Sequence, residues 1–138
     1  MKYLLDTNVI SEINKPNCNQ NVSAFIKTVS MKEIYLSAIT IGELYYGIEK
    51  LPVSKKKHDL SVWLFSNILP WFDERIIILD TDVLIEWGKL RAKSERTLPV
   101  EDTFVAACAI VHNMFLVTRN TKDFYDIEGI KLLNPWEV

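Results

Sequence analysis

Five short runs rich in apolar and β-branched residues punctuate the chain: Tyr3 to Leu5, Ile34 to Ser37, Ile76 to Leu79, Phe115 to Val117 and Lys131 to Leu133. They alternate with longer helical segments, and this strand and helix rhythm restricts the chain to the α/β class. The runs are continuously apolar instead of alternating, as expected of parallel strands buried on both faces. Helices must then cover the sheet on both sides. Candidate faces are Ile39, Ile41, Leu44, Tyr45 and Ile48, then Val83, Leu84, Trp87 and Leu90, then Val105, Ala106, Ala109 and Ile110, each at helical spacing. Four tryptophans, Trp63, Trp71, Trp87 and Trp136, stand among Leu, Ile and Phe and read as packing residues. Pro52 ends one helix and Pro99 opens another. No repeat or linker interrupts the pattern, and too few residues separate the elements for a second domain, so residues 1–138 read as one domain.

Composition narrows the function classes. Sixteen Lys and Arg face eighteen Asp and Glu, a net charge of −2, so no global field draws the chain to nucleic acid or to an anionic membrane. A polyanionic ligand has to be recruited locally. Lys55-Lys56-Lys57-His58 is the one basic cluster and reads as a solvated helix start. Cys18 and Cys108 lie far apart, the second in an apolar helical run, which suits free thiols in a reducing cytoplasm. A secretory leader and a run of about 18 apolar residues are both lacking, so an intracellular protein without a membrane span is expected.

The chemistry sits in four dispersed acids. Asp6 follows the first strand run, where ligands bind in open α/β sheets. Glu43 fits a capping box with Thr40, Asp102 stands in the first turn after Pro99, and Asp123 follows Thr118-Arg119-Asn120-Thr121 behind an Asn120 or Thr121 cap. Taken singly, each acid is explained by helix capping or the helix dipole. Taken together they change meaning, because a doubly wound sheet brings strand ends and helix starts to one rim. Carboxylates about 4 Å apart repel by on the order of 4 kcal/mol at an effective dielectric of 20, so a cation is needed. His58 and His112 are isolated and offer no zinc spacing, which leaves an oxygen-only site for Mg²⁺ or Mn²⁺. Such a site supports metal-assisted phosphodiester hydrolysis and explains how an acidic pocket tolerates a polyanion. Asp80 and Asp82 read as caps of the next helix, and Arg91, Lys93 and Arg96 either meet substrate or offset the negative end of a helix.

With these positions assembled, the sequence resembles the PIN-domain ribonuclease toxins of the VapC type, above all their FitB-like branch. The resemblance spans nearly the whole chain. It rests on Leu4-Leu5-Asp6-Thr7-Asn8-Val9-Ile10-Ser11-Glu12, on Leu36 to Leu44 with Gly47, on Asp102-Thr103-Phe104-Val105-Ala106-Ala107, on Thr118 to Phe124 and on Asn134-Pro135-Trp136. It implies a PIN-like three-layer α/β/α sandwich with a central parallel five-stranded sheet. It also implies a Mg²⁺- or Mn²⁺-dependent endoribonuclease, the toxin of a type II toxin-antitoxin system, held silent by a cognate antitoxin that binds its own promoter DNA. A homodimer follows from the same likeness. Carried over by position, Asp6, Asp102 and Glu43 hold the metal, with Asn8 and Thr118 in support. The fourth place stays open between Asp123 and Asn120, because the FitB-like branch carries an acid where this chain has Asn120. A catalytically weak partner that mainly forms an antitoxin complex on promoter DNA is the alternative. A phosphoacceptor domain is disfavoured, since paired acids directly after the first strand and a late lysine are missing.

Overall fold

A computed structural model describes residues 1–137. Strands β1 (Tyr3–Leu5), β2 (Ile34–Ser37), β3 (Ile76–Ile77), β4 (Phe115–Val117) and β5 (Lys131–Leu133) form one sheet in the order β3-β2-β1-β4-β5, and every neighbouring pair is parallel. The helices are α1 (Thr7–Ile13), α2 (Gln20–Thr28), α3 (Ala38–Glu49), α4 (Lys55–Val62), α5 (Leu69–Phe72), α6 (Thr81–Lys93) and α7 (Val100–Val111). Among the described residues no helix is long and apolar enough to cross a membrane.

The apolar strands work as their two-residue period dictates. Leu5, Leu36, Val117, Ile76 and Leu133 point into one core, against α1 to α5, while Leu4, Tyr35, Leu116, Ile77 and Leu132 point into a second core against α6 and α7. Each strand therefore feeds both layers, which is why none of them alternates. β3 is shorter than its apolar run. It pairs Ile76 with Leu36 and Ile77 with Ser37, and there β2 turns into α3, so Ile78 has no partner and is 65% exposed. Leu84 and Tyr45, placed on buried faces by spacing, are 40% and 42% exposed; Val83, Leu90, Leu44 and Ile48 fill those faces.

The helical stretch 55–72 carries an irregularity with a visible cause. Pro70 lacks the N–H of a continuing helix, and its ring presses on the carbonyl four residues back. The backbone responds by widening over Trp63–Ile68 into a π-helical turn, in which the Leu69 N–H reaches the Leu64 carbonyl, five residues back. Trp63, Trp87 and Trp136 pack against the cores, but Trp71 at the end of this stretch is 51% exposed. Both cysteines are free, with the buried Cys108 Sγ 3.6 Å from Ser37 Oγ. Lys55 and Lys56 lie on an exposed helix start capped by Ser54, and Lys57 Nζ donates to the Glu49 and Leu51 carbonyls at the end of α3.

Candidate active site at the sheet switch point

The chain leaves β1 toward β2 on one side and later returns to β4 on the other, so a crevice opens beyond the carboxyl ends of β1 and β4. Asp6 stands at that point. Its N–H donates to the Val117 carbonyl at 2.9 Å, extending the β1–β4 ladder by one bond, and its side chain caps α1. The Thr7 N–H donates to Asp6 Oδ1 at 2.8 Å, and the buried Thr118 hydroxyl, at the end of β4, donates to Oδ2 at 2.8 Å. Asn8 closes the arrangement: its Nδ2 donates to Thr118 Oγ1 at 3.2 Å and to Asp6 Oδ2 at 3.4 Å, while its Oδ1 accepts from the Arg119 N–H at 3.2 Å. Thr118 Oγ1 accepts once more, from the Asn120 N–H at 3.1 Å. Asp6 is held through both oxygens by residues far apart in the chain.

Glu43 reaches the same rim by a route the capping-box reading missed. Strand β2 runs straight into α3 without a loop, so its last residue, Ser37, takes the N-cap and accepts from the Ile39 N–H at 3.2 Å. Thr40 therefore lies buried in the first turn, and Glu43 sits a turn further on, free of any capping task. The Thr7 hydroxyl donates to Glu43 Oε1 at 2.7 Å and lies 3.5 Å from Thr40 Oγ1. Thr7 thus ties Asp6 through its backbone and Glu43 through its side chain. No pattern in the sequence singles out Thr7, since the contact joins residues 36 positions apart.

Asp102 lies in the first turn of α7, half-buried, with no hydrogen-bond donor on its carboxylate among the described residues. Burial, and then the charges of Asp6, Asp123, Glu43 and Glu101, push its carboxyl up to about 6. Burial also raises Asp6, against the Thr118 and Thr7 hydrogen bonds and helped by the charge of Asp123. Glu43 is raised by burial, opposed by Thr7 and reinforced by Asp6 and Glu101. The acids therefore sense one another across one crevice, and Glu101, passed over in the sequence, joins them. Asp123 ends a single 3₁₀ turn, Thr121–Asp123, that Asn120 precedes without a side-chain cap. Asp123 is half-buried and its charge reaches Asp6 and Asp102, whereas Asn120 is exposed and enters the network through its backbone N–H alone.

The donor set is all oxygen, which suits Mg²⁺ or Mn²⁺ over zinc. Among the described residues no three of the acids converge into a ready-made cage. That is compatible with Mg²⁺, which keeps several waters and uses one or two carboxylates directly. Of the other candidates, Asp80 caps α6 through the Val83 N–H, and Lys93 and Arg96 pair with Glu128 and Asp126. A cleft of about 620 Å³ lies elsewhere, between α1, α2 and the stretch 63–72, with Leu5, Ile10, Ile26, Trp63 and Trp71 on its walls. None of the four acids lines it.

The family model for the PIN domain matches residues 3–130. The chain is 38% identical over 137 residues to the plasmid stability protein StbB of Pseudomonas syringae, covering 97% of this chain and 98% of that one. It is 36% identical to toxin FitB of Neisseria gonorrhoeae, over 96% and 97% of the two chains, and 33% identical to the VapC ribonuclease Y4jK of Sinorhizobium fredii, over 97% of each. Among solved structures it superimposes on the crystal structure of FitAcB from Neisseria gonorrhoeae with a TM-score of 0.91 at 35% identity, covering 99% of both chains. The structure of FitAB bound to an IR36 DNA fragment gives a TM-score of 0.89 at 34% identity, over 99% and 96%.

Proposed function

The chain belongs to the PIN-domain family, and from that premise we propose that residues 1–138 form one PIN domain acting as the endoribonuclease toxin of a type II toxin-antitoxin system. The observation that carries this reading is the crevice at the β1–β4 switch point. There Asp6 is fixed through both oxygens, and burial together with the charges of Asp6, Asp123 and Glu43 raises the carboxyl of Asp102. Asp6 and Asp102 would hold a divalent cation directly, Glu43 and Asp123 directly or through water. When bound, that cation neutralises charge on the scissile phosphate and makes an attacking water acidic enough to serve at neutral pH.

The remaining work falls to the chain itself. Thr118 and the Thr7 N–H hold the Asp6 carboxylate in one rotamer, so its oxygens face the crevice without reorganisation. Thr7 fixes one oxygen of Glu43 and leaves the other for a water. Asp102, free of donors, is the acid most in need of a cation. RNA enters as a phosphodiester aligned for in-line attack by water, leaving a 3′-hydroxyl and a 5′-phosphate. Purified protein should cut RNA when Mg²⁺ or Mn²⁺ is added and stop on chelation. Asp6→Asn and Asp102→Asn should each lose at least 100-fold; either variant cutting at the wild-type rate overturns the site.

The partner is a cognate antitoxin that binds promoter DNA and links the toxin to it. We assign it the apolar cleft beside α1 and α2, where the half-exposed Trp71 offers an aromatic anchor on an apolar wall. The protein acts in the cytoplasm as a homodimer. Tyr45, stacked edge-on against Phe65 with centroids 5.5 Å apart, and Tyr46 supply exposed aromatic surface for a dimer contact. Leu44, which precedes them in α3, faces the core instead.

A further inference from the structure

Arg96 lies in the short connection between α6 and α7, three residues before the Pro99 cap of the helix that carries Asp102. Its own backbone is anchored, because the hydroxyl of Ser94, the C-cap of α6, donates to the Arg96 carbonyl at 2.7 Å. From there the guanidinium reaches across to the turn that carries Asp123. Nε donates to Asp126 Oδ2 and Nη2 to Asp126 Oδ1, both at 2.8 Å, and Nη2 also donates to the backbone carbonyl of Asp123 itself at 2.6 Å. The Tyr125 ring centroid lies 5.9 Å from the guanidinium carbon. One side chain therefore ties the connection leading into Asp102 to the turn that presents the fourth acid.

As a surface ion pair this contact would contribute little to stability. Two features set it apart. The planar fork engages a carboxylate through two nitrogens, which fixes direction as well as distance, and the third bond goes to the main chain of a site residue. The turn's other restraints are local: the Asp123 N–H bonds to the Asn120 carbonyl, the Phe124 and Tyr125 N–H groups bond to the Thr121 carbonyl, and the buried Phe124 ring holds its far side, so the Arg96 fork is what ties it to the connection before α7. Outer contacts that orient the ligands of a cation alter its affinity by about 10- to 100-fold when removed.

We propose that Arg96 is a positioning residue for the metal site, setting Asp123 in register with Asp102 through its fork on Asp126 and its bond to the Asp123 carbonyl. The inference rests on the nuclease reading above. Its test is the Mn²⁺ affinity of the purified protein, measured by calorimetry for Arg96→Lys, Asp126→Asn, Asp123→Asn and the Arg96→Lys/Asp123→Asn pair. Lysine keeps the charge but has no fork, so a loss in Arg96→Lys reports geometry and not electrostatics. Mn²⁺ binding should weaken about 10-fold in Arg96→Lys and in Asp126→Asn, with KM for RNA unchanged and kcat reduced. Adding Arg96→Lys to Asp123→Asn should weaken Mn²⁺ binding no further. Wild-type affinity in Arg96→Lys, an unaltered affinity in Asp123→Asn, or additive losses in the pair would overturn the proposal. If Arg96→Lys does not fold, Asp126→Asn decides by the same criterion. Asp102→Asn separates the two readings: retained Mn²⁺ binding there sinks the nuclease site itself, while its loss alongside an indifferent Arg96→Lys sinks only the positioning role.

Discussion

At the scale of single residues, the site is a set of carboxylates held in a state they resist. Asp102 makes the case most clearly. Its carboxyl is raised to about 6 by burial first and by its acidic neighbours second, so the folded chain binds this proton more tightly than the unfolded one. The stabilisation from that proton is complete below an unfolded value of about 4 and is lost as pH rises through 6. Asp6 and Glu43 shift in the same direction. In EDTA at pH 7, Asp102→Asn should therefore stabilise the fold by on the order of 1 kcal/mol once solvent screening is allowed for, read as a higher Tm. The advantage should shrink as pH falls through 6 and vanish below about pH 4, which thermal melts at the two ends would show. Adding Mg²⁺ should raise the Tm of the wild type at pH 7 and leave the variant unmoved, since a ligand stabilises only the fold that binds it. A more stable but inactive Asp102→Asn is the signature of a site built for a cation; a destabilised variant in EDTA would contradict it. Thr118 behaves in the opposite way. Its hydroxyl donates to Asp6 and accepts from Asn8 and the Asn120 N–H, all in buried or half-buried surroundings. Thr118→Val should cost about 1–3 kcal/mol in urea denaturation, because it strands three polar partners, and should weaken Mn²⁺ binding at least 10-fold.

At the scale of elements, the strands were legible because burial on both faces leaves an unbroken apolar signal, and all five runs appear as strands. Only the third is shorter than its run, cut where its partner β2 turns into α3. The start of α3 was misread for a reason with consequences. Thr40 and Glu43 satisfy the capping-box pattern, but Ser37 lies three residues earlier and ends a strand, so the helix starts there and Glu43 is released to the rim. Local pattern cannot choose between two possible caps when the strand register decides. The Thr7–Glu43 bond and the Arg96 fork escaped the sequence for a related reason: each joins segments brought together only by the sheet order. Ser37→Ala should therefore cost about 1 kcal/mol of stability, the usual loss for a removed cap, and should also shift the frame from which Glu43 projects. Urea denaturation reads the first effect, and a reduced kcat on RNA at unchanged KM reads the second.

At the scale of the whole molecule, the acids and the apolar cleft lie on different surfaces, although both are built on the β1–α1 unit. Asp6 faces the crevice from the end of β1, while Leu5 and Ile10, its neighbours on either side, line the cleft. The cleft owes its wall to the widened turn at Trp63–Ile68 before Pro70, an irregularity that hydrophobic spacing does not reveal. This arrangement separates partner binding from chemistry and so makes the two separable by mutation. Trp71 is half exposed and stands outside the buried clusters, so Trp71→Ala should change Tm by little, whereas truncating an aromatic anchor at the centre of an interface weakens binding by 2 kcal/mol or more. The expected outcome is at least a 30-fold loss of antitoxin affinity by calorimetry, with the rate of RNA cleavage by the free protein unchanged. An unaltered affinity would place the antitoxin on another face. A loss of cleavage would mean instead that the cleft and the crevice communicate through β1 and α1, which give Leu5 and Ile10 to the one and Asp6 to the other.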